Sequence, residues 1–322
     1  MKRTSMHRVL VPGIAALALL LSACGDDAEG GEGEGTDVSG VTGSVSVDGS
    51  STVFPMSNAA SELISEEGAQ IEVSVAESGT GGGFEKFCAG ETDISDASRP
   101  IDEEEEVPVC EENGIEYTEL QVATDALTVV VHPDLAVDCL TTEQLIKLWE
   151  PGSKINNWNQ LDPSFPDQEI SLFGPGTDSG TYDYMAADVI GEESETTRED
   201  YEASEDDNVL VQGVAGTEGA TGYFGYSYYE QNADSLKALA IDDGNGCVEP
   251  SAETAQAGEY TPLARPLFIY VNNAEYNDNE AVKAYTDFYI ANLEKIAEAA
   301  LFIPLSEELY SETQSRLEGI ES

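Results

Sequence analysis

The chain has 322 residues, of which 64 are Asp or Glu and 13 are Lys or Arg, giving a formal net charge of −51. This length exceeds that of one ordinary core and predicts two lobes. The charge excludes the basic surface that nucleic-acid binding needs. Its self-repulsion would be relieved only by salt, which favours a host that lives at high salt.

The first 23 residues have the form of a removable signal peptide. Basic residues at positions 2, 3 and 8 precede an apolar run that is too short for a stable membrane span. The sequence Leu21-Ser22-Ala23-Cys24 then resembles a lipoprotein cleavage site. We expect Cys24 to be lipidated and to anchor the protein on the outer face of the cytoplasmic membrane. An ordinary signal peptide is the alternative.

Residues 24–42 are mostly Gly, Asp, Glu, Ser and Thr, a composition that cannot bury a core and predicts an extended acidic tether. From residue 43, three glycine- and hydroxyl-rich turns each follow a predicted strand and precede a predicted helix. They are Asp48-Gly-Ser-Ser-Thr-Val-Phe-Pro-Met56, Glu77-Ser-Gly-Thr-Gly-Gly-Gly-Phe84 and Phe173-Gly-Pro-Gly-Thr-Asp-Ser-Gly-Thr-Tyr-Asp-Tyr-Met185. Such turns offer unpaired N–H groups and hydroxyls to an anion.

The remaining pattern alternates strands with helices and predicts an α/β fold with largely parallel sheets. Residues 126–131 and 266–271 are continuous apolar strands, and residues 94–101 form a polar cluster after a short strand. An amphipathic helix over 140–149 has Thr141 and Gln144 at capping-box spacing. Residues 208–213 fit a helix or a strand, and 280–301 fit one long helix. The glycine-rich turns should lie at the carboxyl ends of the strands, where open α/β sheets bind ligands.

Four cysteines remain once Cys24 is set aside, and an even number in an exported protein indicates two disulfides. Three pairings are possible. We favour Cys88–Cys110 and Cys139–Cys247, since each bond would then lie within one lobe. A metal site is not expected, because His132 is the only histidine left after export and no two cysteines have close ligand spacing.

Four motifs in order resemble the phosphate-binding lipoproteins of the bacterial phosphate ABC importer. They are Gly49-Ser-Ser-Thr-Val-Phe-Pro55, Ser78-Gly-Thr-Gly-Gly-Gly83, Ser95-Asp-Ala-Ser-Arg-Pro-Ile101 and Thr177-Asp-Ser-Gly-Thr181. The resemblance implies a two-lobe, type II periplasmic-binding-protein clamshell with two crossover strands that closes on one phosphate. Lobe one would comprise 43–130 and 265–322, and lobe two 131–264. The partners implied are phosphate and the membrane subunits of an ABC permease; we expect a monomer without cofactors.

The resemblance also implies a ligand set. Donors would be Ser51, Thr52, Thr80, Ser179, Gly180 and Thr181, and Asp96 would accept the proton that phosphate carries but sulfate lacks. Many family members have an arginine four residues before the serine of the last motif, where this chain has Pro175. We therefore expect Arg99 to replace that cation. Pairing of Arg99 with the nearby acidic run is the alternative.

Two other functions fit parts of the pattern. Another oxyanion, such as sulfate, molybdate or arsenate, could occupy the same kind of site. A serine hydrolase could use Ser179, but a hydrolase needs a base beside its nucleophile, and the nucleophile-elbow pattern is absent. Beside an anion Asp178 would be repulsive, so a turn-capping role is expected for it.

Overall fold

The computed structural model of the chain describes residues 38–177, 179–191 and 196–320. The predicted signal peptide, the predicted lipidation site Cys24 and Asp178 lie outside these residues, as does most of the predicted tether. The end of that tether is already part of the fold. Val38 is only 3% exposed and packs in a core, and the Gly40 N–H donates to the Gly68 carbonyl.

Twelve strands are described: β1 (Thr42–Gly49), β2 (Gln70–Ala76), β3 (Ile94–Ala97), β4 (Tyr117–Val131), β5 (Cys139–Thr141), β6 (Ser171–Gly174), β7 (Glu202–Ala203), β8 (Ala220–Gly225), β9 (Lys237–Ala238), β10 (Ala240–Asp242), β11 (Cys247–Val248) and β12 (Ala264–Asn272). The α-helices are α1 (Phe54–Glu66), α2 (Thr80–Cys88), α3 (Val107–Asn113), α4 (Thr142–Trp149), α5 (Gly180–Asp183), α6 (Asp207–Gly216), α7 (Tyr226–Gln231), α8 (Ala252–Gln256), α9 (Asn273–Asp278), α10 (Glu280–Ala291), α11 (Leu293–Ala299) and α12 (Glu307–Ile320). A 3₁₀ turn spans Trp158–Gln160, and a π-helix, Tyr184–Ile190, continues α5.

The two lobes share one mixed sheet, in the order β2-β1-β3-β12-β4-β8-β6-β7, with β9 also paired to β4. Strand β4 pairs with β12 up to Ala126 and with β8 from Leu127 onward. The sheet is therefore less parallel than the sequence predicted. Strands β4 and β12 run antiparallel because one carries the chain from lobe one to lobe two and the other carries it back, whereas β1–β2, β1–β3 and β6–β8 are parallel.

The apolar run at the end of β4 is buried on both faces, as predicted. Leu127 and Val129 pack in a core with the tryptophans of α4 and of the 3₁₀ turn. Val130 points to the opposite face and packs with Phe173 and Phe224. This alternation follows from the two-residue period of a strand, and it puts apolar cores on both faces of lobe two.

Lobe one has the same layered plan. Residues of β1, β3, β4 and β12 pack with α1, α10 and α11 on one face. Phe84 and Phe87 of α2 and Cys110 of α3 cover the other face. The predicted long helix over 280–301 is interrupted at Asn292, whose side-chain amide donates to the Phe288 carbonyl. Asparagine bonds of this kind compete with the regular backbone ladder.

Several smaller predictions are settled by the structure. Thr141 and Gln144 form the capping box of α4, residues 208–213 lie in α6, and residues 94–97 are themselves a strand. Disulfides join Cys88 to Cys110 and Cys139 to Cys247, the pairing that the sequence analysis favoured. Among the described residues there is no helix with the length and apolar character needed to cross a bilayer.

The position of α2 depends on the absence of a side chain at Gly83. A Cβ atom there would lie 2.5 Å from the Gly49 Cα and 2.9 Å from the Ser95 Oγ, whereas one at Gly81 would find its nearest neighbour, the Arg99 Nη2, at 3.7 Å. Gly83→Ala should therefore destabilise the protein by about 1–3 kcal/mol through overpacking. The matched control Gly81→Ala should be neutral or stabilising by up to about 1 kcal/mol through helix propensity. Denaturant unfolding measures both, and equal midpoints for the two variants would contradict this packing.

Candidate functional site

The first turn, between β1 and α1, is fixed by the backbone of β3. The Ser50 N–H donates to the Asp96 carbonyl at 2.9 Å, and a Cβ on Gly49 would lie 2.1 Å from that same oxygen. Gly49 also has φ +144°, a conformation that favours glycine. The turn leaves Ser51 exposed and Thr52 almost buried at its tip.

The second turn, between β2 and α2, is tied to the first through Asp48. The N–H and the hydroxyl of Ser78 both donate to Asp48 Oδ1, at 3.0 and 2.7 Å, and Lys86 forms an ion pair with the same carboxylate. Burial by itself would raise the pKa of Asp48, but the hydrogen bonds from Lys86 and Ser78 outweigh it, and the pKa is lowered. The ionised carboxylate therefore holds the two turns together.

Thr80 begins α2 and is held by the residues that follow β3. Its Oγ1 accepts a hydrogen bond from the Ser98 N–H at 3.2 Å and lies 3.1 Å from the Ser98 Oγ. Within the motif Ser95–Ile101, Ser98 is therefore the residue that contacts Thr80, one of the predicted ligand donors. The sequence analysis did not single out Ser98.

Asp96 lies in β3 opposite Gly49 of the first turn, and its role as acceptor of a ligand proton stays a prediction. It is 0% exposed, and its Oδ1 accepts a hydrogen bond from the Ser57 hydroxyl of α1 at 2.8 Å inside lobe one. Its Oδ2 is also buried and has no partner among the described residues. Burial, with a smaller contribution from Asp48, raises the pKa of Asp96 to about 8, against the opposing hydrogen bond from Ser57. Among the described residues no hydrogen bond joins this carboxyl to a hydroxyl of the three turns.

Arg99 is paired with a carboxylate of the acidic run, and its role as the cation of the site stays a prediction. Its Nη1 and Nη2 donate to both carboxylate oxygens of Glu106 at 2.8 and 2.7 Å, and its side chain is 46% exposed. This is the pairing with the acidic run that the sequence analysis kept as the alternative. A bidentate pair of this kind already uses the planar fork of the guanidinium.

The third turn, between β6 and α5, is positioned by residues around β7. The Tyr201 hydroxyl donates to the Pro175 carbonyl at 2.8 Å, and the Ser204 N–H donates to the Gly174 carbonyl at 3.2 Å. The Glu205 carboxylate lies against Gly176, where an added Cβ would be 1.9 Å from its Oε1. At the end of the turn Ser179 caps α5, since its hydroxyl oxygen accepts from the Thr181 N–H at 3.2 Å.

The first and third turns, one from each lobe, meet in space. A Cβ added to Gly180 would lie only 3.4 Å from the Thr52 Oγ1. The same threonine oxygen accepts a hydrogen bond from Arg265 Nη2 at 3.0 Å. Arg265 belongs to β12 and was not among the predicted site residues.

Comparisons with known proteins agree with this architecture. The family model of the PBP superfamily domain matches residues 34–292. The chain is 44% identical to Protein SphX of Synechocystis sp. over 309 residues, 95% of this chain and 88% of that protein. It is 40% identical to the phosphate-binding protein PstS of Staphylococcus saprophyticus over 307 residues, 94% of this chain and 91% of that protein.

The chain belongs to the PBP superfamily and, within it, to the PstS-like solute-binding proteins. A crystal structure of a possible phosphate binding protein from Planctomyces limnophilus matches it with a TM-score of 0.83 and 43% identity. That match covers 88% of this chain and all of the other. The three glycine-rich turns therefore belong to a member of a family of solute-binding proteins.

The buried carboxyl of Asp96 should make stability depend on pH. Since its pKa is raised to about 8 in the fold but is near 3.9 when unfolded, the unfolded chain loses this proton first as pH rises. The contribution of Asp96 to stability is full below about pH 4 and falls until about pH 8. Asp96→Asn, which never ionises, should therefore gain stability relative to the native protein across that range, by at most about 1.4 kcal/mol per pH unit.

Denaturant unfolding of both proteins at several pH values measures this difference. Ser46, whose hydroxyl bonds to the part-buried Asp93 in the same lobe, offers a control: Ser46→Ala should show no trend of this kind relative to the native protein. A difference between Asp96→Asn and the native protein that stays constant from pH 4 to pH 8 would contradict the buried, protonated carboxyl.

Proposed function

We propose that the protein captures inorganic phosphate outside the cytoplasm and delivers it to an ABC importer, without catalysing a reaction. One observation carries this proposal: the Thr52 hydroxyl of lobe one and Gly180 at the start of a lobe-two helix face each other. A glycine-rich turn from each lobe thus meets the other where a clamshell would close on an anion. The relative from Staphylococcus saprophyticus is named a phosphate-binding protein, and the solved structure from Planctomyces limnophilus a possible one.

The proposed donors are Ser51 and Thr52 from the first turn, Thr80 from the second, and Ser179, Gly180 and Thr181 from the third. The oxygens of Thr52, Thr80 and Ser179 already accept protein hydrogen bonds. The hydroxyl hydrogens of Thr52 and Ser179 are therefore directed elsewhere and can be donated to a ligand, whereas that of Thr80 lies within reach of the Ser98 Oγ. Closure of the lobes would exclude water and strengthen each of these bonds.

Asp96 and Arg99 have a weaker case as ligands than the turn hydroxyls. One oxygen of Asp96 has its partner inside lobe one, and both terminal nitrogens of Arg99 are engaged by Glu106. We propose that both residues are structural and that Ser98, beside Thr80, takes a place near the anion.

The hydrolase alternative receives no support from the contacts of its supposed nucleophile. The Ser179 oxygen is used as a helix cap, and His132 accepts the Asp134 N–H through Nδ1. Within residues 38–177, 179–191 and 196–320 no hydrogen bond joins the two side chains. A non-enzymatic receptor remains the better proposal.

The setting of the receptor is proposed from the sequence. The signal peptide over residues 1–23 and lipidation at Cys24 would keep a monomer on the outer face of the cytoplasmic membrane, with residues 24–37 as the tether. The lobes would comprise residues 38–126 with 264–320, and residues 127–263. These limits follow the change of strand pairing between Ala126 and Leu127 and the start of β12.

Calorimetric titration of the purified protein with phosphate, arsenate, sulfate and molybdate tests the proposed function. Phosphate should bind with one site per chain, and arsenate should compete because it has a similar shape and protonation. Sulfate and molybdate carry no proton but accept from the same hydroxyl donors, so they are the competitors whose binding must not exceed that of phosphate. Tighter binding of sulfate than of phosphate, or no heat from any of the four anions, would contradict the proposal.

A further inference from the structure

Arg265 contacts more parts of the candidate site than any other arginine among the described residues. Its Nη2 donates to Thr52 in the first turn at 3.0 Å, and its Nη1 donates to Asp188 of the π-helix at 2.7 Å. Its Nε donates to Asp125, the residue opposite it on β4, at 3.2 Å. The guanidinium therefore lies between lobe one and the segment that follows the third turn.

The guanidinium is also stacked and nearly buried. Its Cζ lies 3.8 Å from the centre of the Tyr184 ring, and its side chain is 13% exposed. Tyr184 is four residues beyond Gly180, so the same helical segment supplies both the third turn and the surface on which the guanidinium rests. Stacking and burial hold the planar fork in one orientation, which reduces the entropy lost when it binds a ligand.

The other three arginines in the described part of the chain have their charge engaged elsewhere. Arg99 pairs with Glu106, Arg198 with Asp200, and Arg316 with Glu119 and Glu312. None of these pairs includes a hydroxyl of the three turns. Arg265 is the one that does, among the residues that the structure describes.

Two features of its contacts suit an anion. A guanidinium has five N–H groups. Arg265 donates three of them to described residues, so two remain to be donated to an anion. Its bond to Thr52 also directs the threonine hydrogen away from the guanidinium, so that hydrogen can be donated to the ligand. A carboxylate on each side, Asp125 and Asp188, holds the cation in place.

Resting on the proposed phosphate function, we propose that Arg265 is the cation that pairs with the bound anion. It takes the place of an arginine in the third turn, where this chain has Pro175. The positive charge then comes from a strand that connects the lobes, and Asp188 links that strand to lobe two. The anion meets hydroxyls from both lobes around one fixed guanidinium.

The test compares Arg265 with Arg99, the cation that the sequence alone suggested. Phosphate affinity is measured by calorimetry on the full-length native protein and on Arg265→Gln, Arg265→Lys, Arg99→Gln and Arg99→Lys, with circular dichroism to verify folding. Loss of a charged hydrogen-bond donor should weaken binding by about 10- to 150-fold in Arg265→Gln. Arg265→Lys should recover part of this loss, because it restores the charge but not the planar fork. Both Arg99 variants should stay within about threefold of the native protein.

The outcomes distinguish a failure of the role of Arg265 from a failure of the proposed phosphate function. A native protein that binds phosphate, with a folded Arg265→Gln variant that binds it equally well, overturns the role of Arg265 alone. Should Arg265→Gln not fold, Arg265→Lys decides: weakened binding supports the role, and native affinity overturns it. A large loss in the Arg99 variants, with Arg265 variants unaffected, assigns the cation to Arg99. A native protein that binds no phosphate overturns both the role and the proposed function.

Discussion

The guanidinium of Arg265 joins parts of the chain that are far apart in sequence. It touches Thr52, Asp125 and Asp188, and it rests on Tyr184. An isolated charge in this nearly buried position would be costly. The two carboxylates offset that cost, although burial still raises the pKa of Asp125 above its usual value in spite of the neighbouring cation. The result is a fixed positive charge where the turns of the two lobes meet.

Such a local charge matters because the protein as a whole carries a formal charge of −51. The long-range field repels an anion, but salt screens it over about 8–10 Å at moderate ionic strength. Contacts at hydrogen-bond distance are screened much less. An anion site in this chain therefore depends on a few donors within about 3 Å of the ligand, held by the fold before the ligand arrives.

The two halves of the site are held by different kinds of contact. In lobe one the backbones of the first turn, β3 and α2 approach so closely that Gly49 and Gly83 leave no room for a Cβ. In lobe two the third turn is held by the hydroxyl of Tyr201 and the carboxylate of Glu205. The backbone contacts in lobe one allow the first turn little adjustment, whereas the side chains that hold the third turn in lobe two can change rotamer.

Local patterns in the sequence predicted most of the fold. The three strand–turn–helix units, the cap at Thr141 and the buried run at the end of β4 all depend on nearby residues. The hydrogen bond from Ser57 to Asp96 was not predicted, because residues 94–101 were interpreted as a cluster after a strand. Residues 94–97 are the strand itself, and alternation turns Asp96 toward Ser57 while Ser95 faces α2. Arg265 was missed because its carboxylate partners lie 140 and 77 residues away, and no local pattern reports such a pairing.

The most direct measurement of the central claim is a crystal structure of the protein with phosphate bound. The account predicts one phosphate between the first and third turns, with an oxygen about 2.7–2.9 Å from an Arg265 nitrogen and another accepting from the Thr52 hydroxyl. Arg99 should remain paired with Glu106. A phosphate that contacts Arg99 or Asp96, with Arg265 still bound only to Asp125, Asp188 and Thr52, would contradict it.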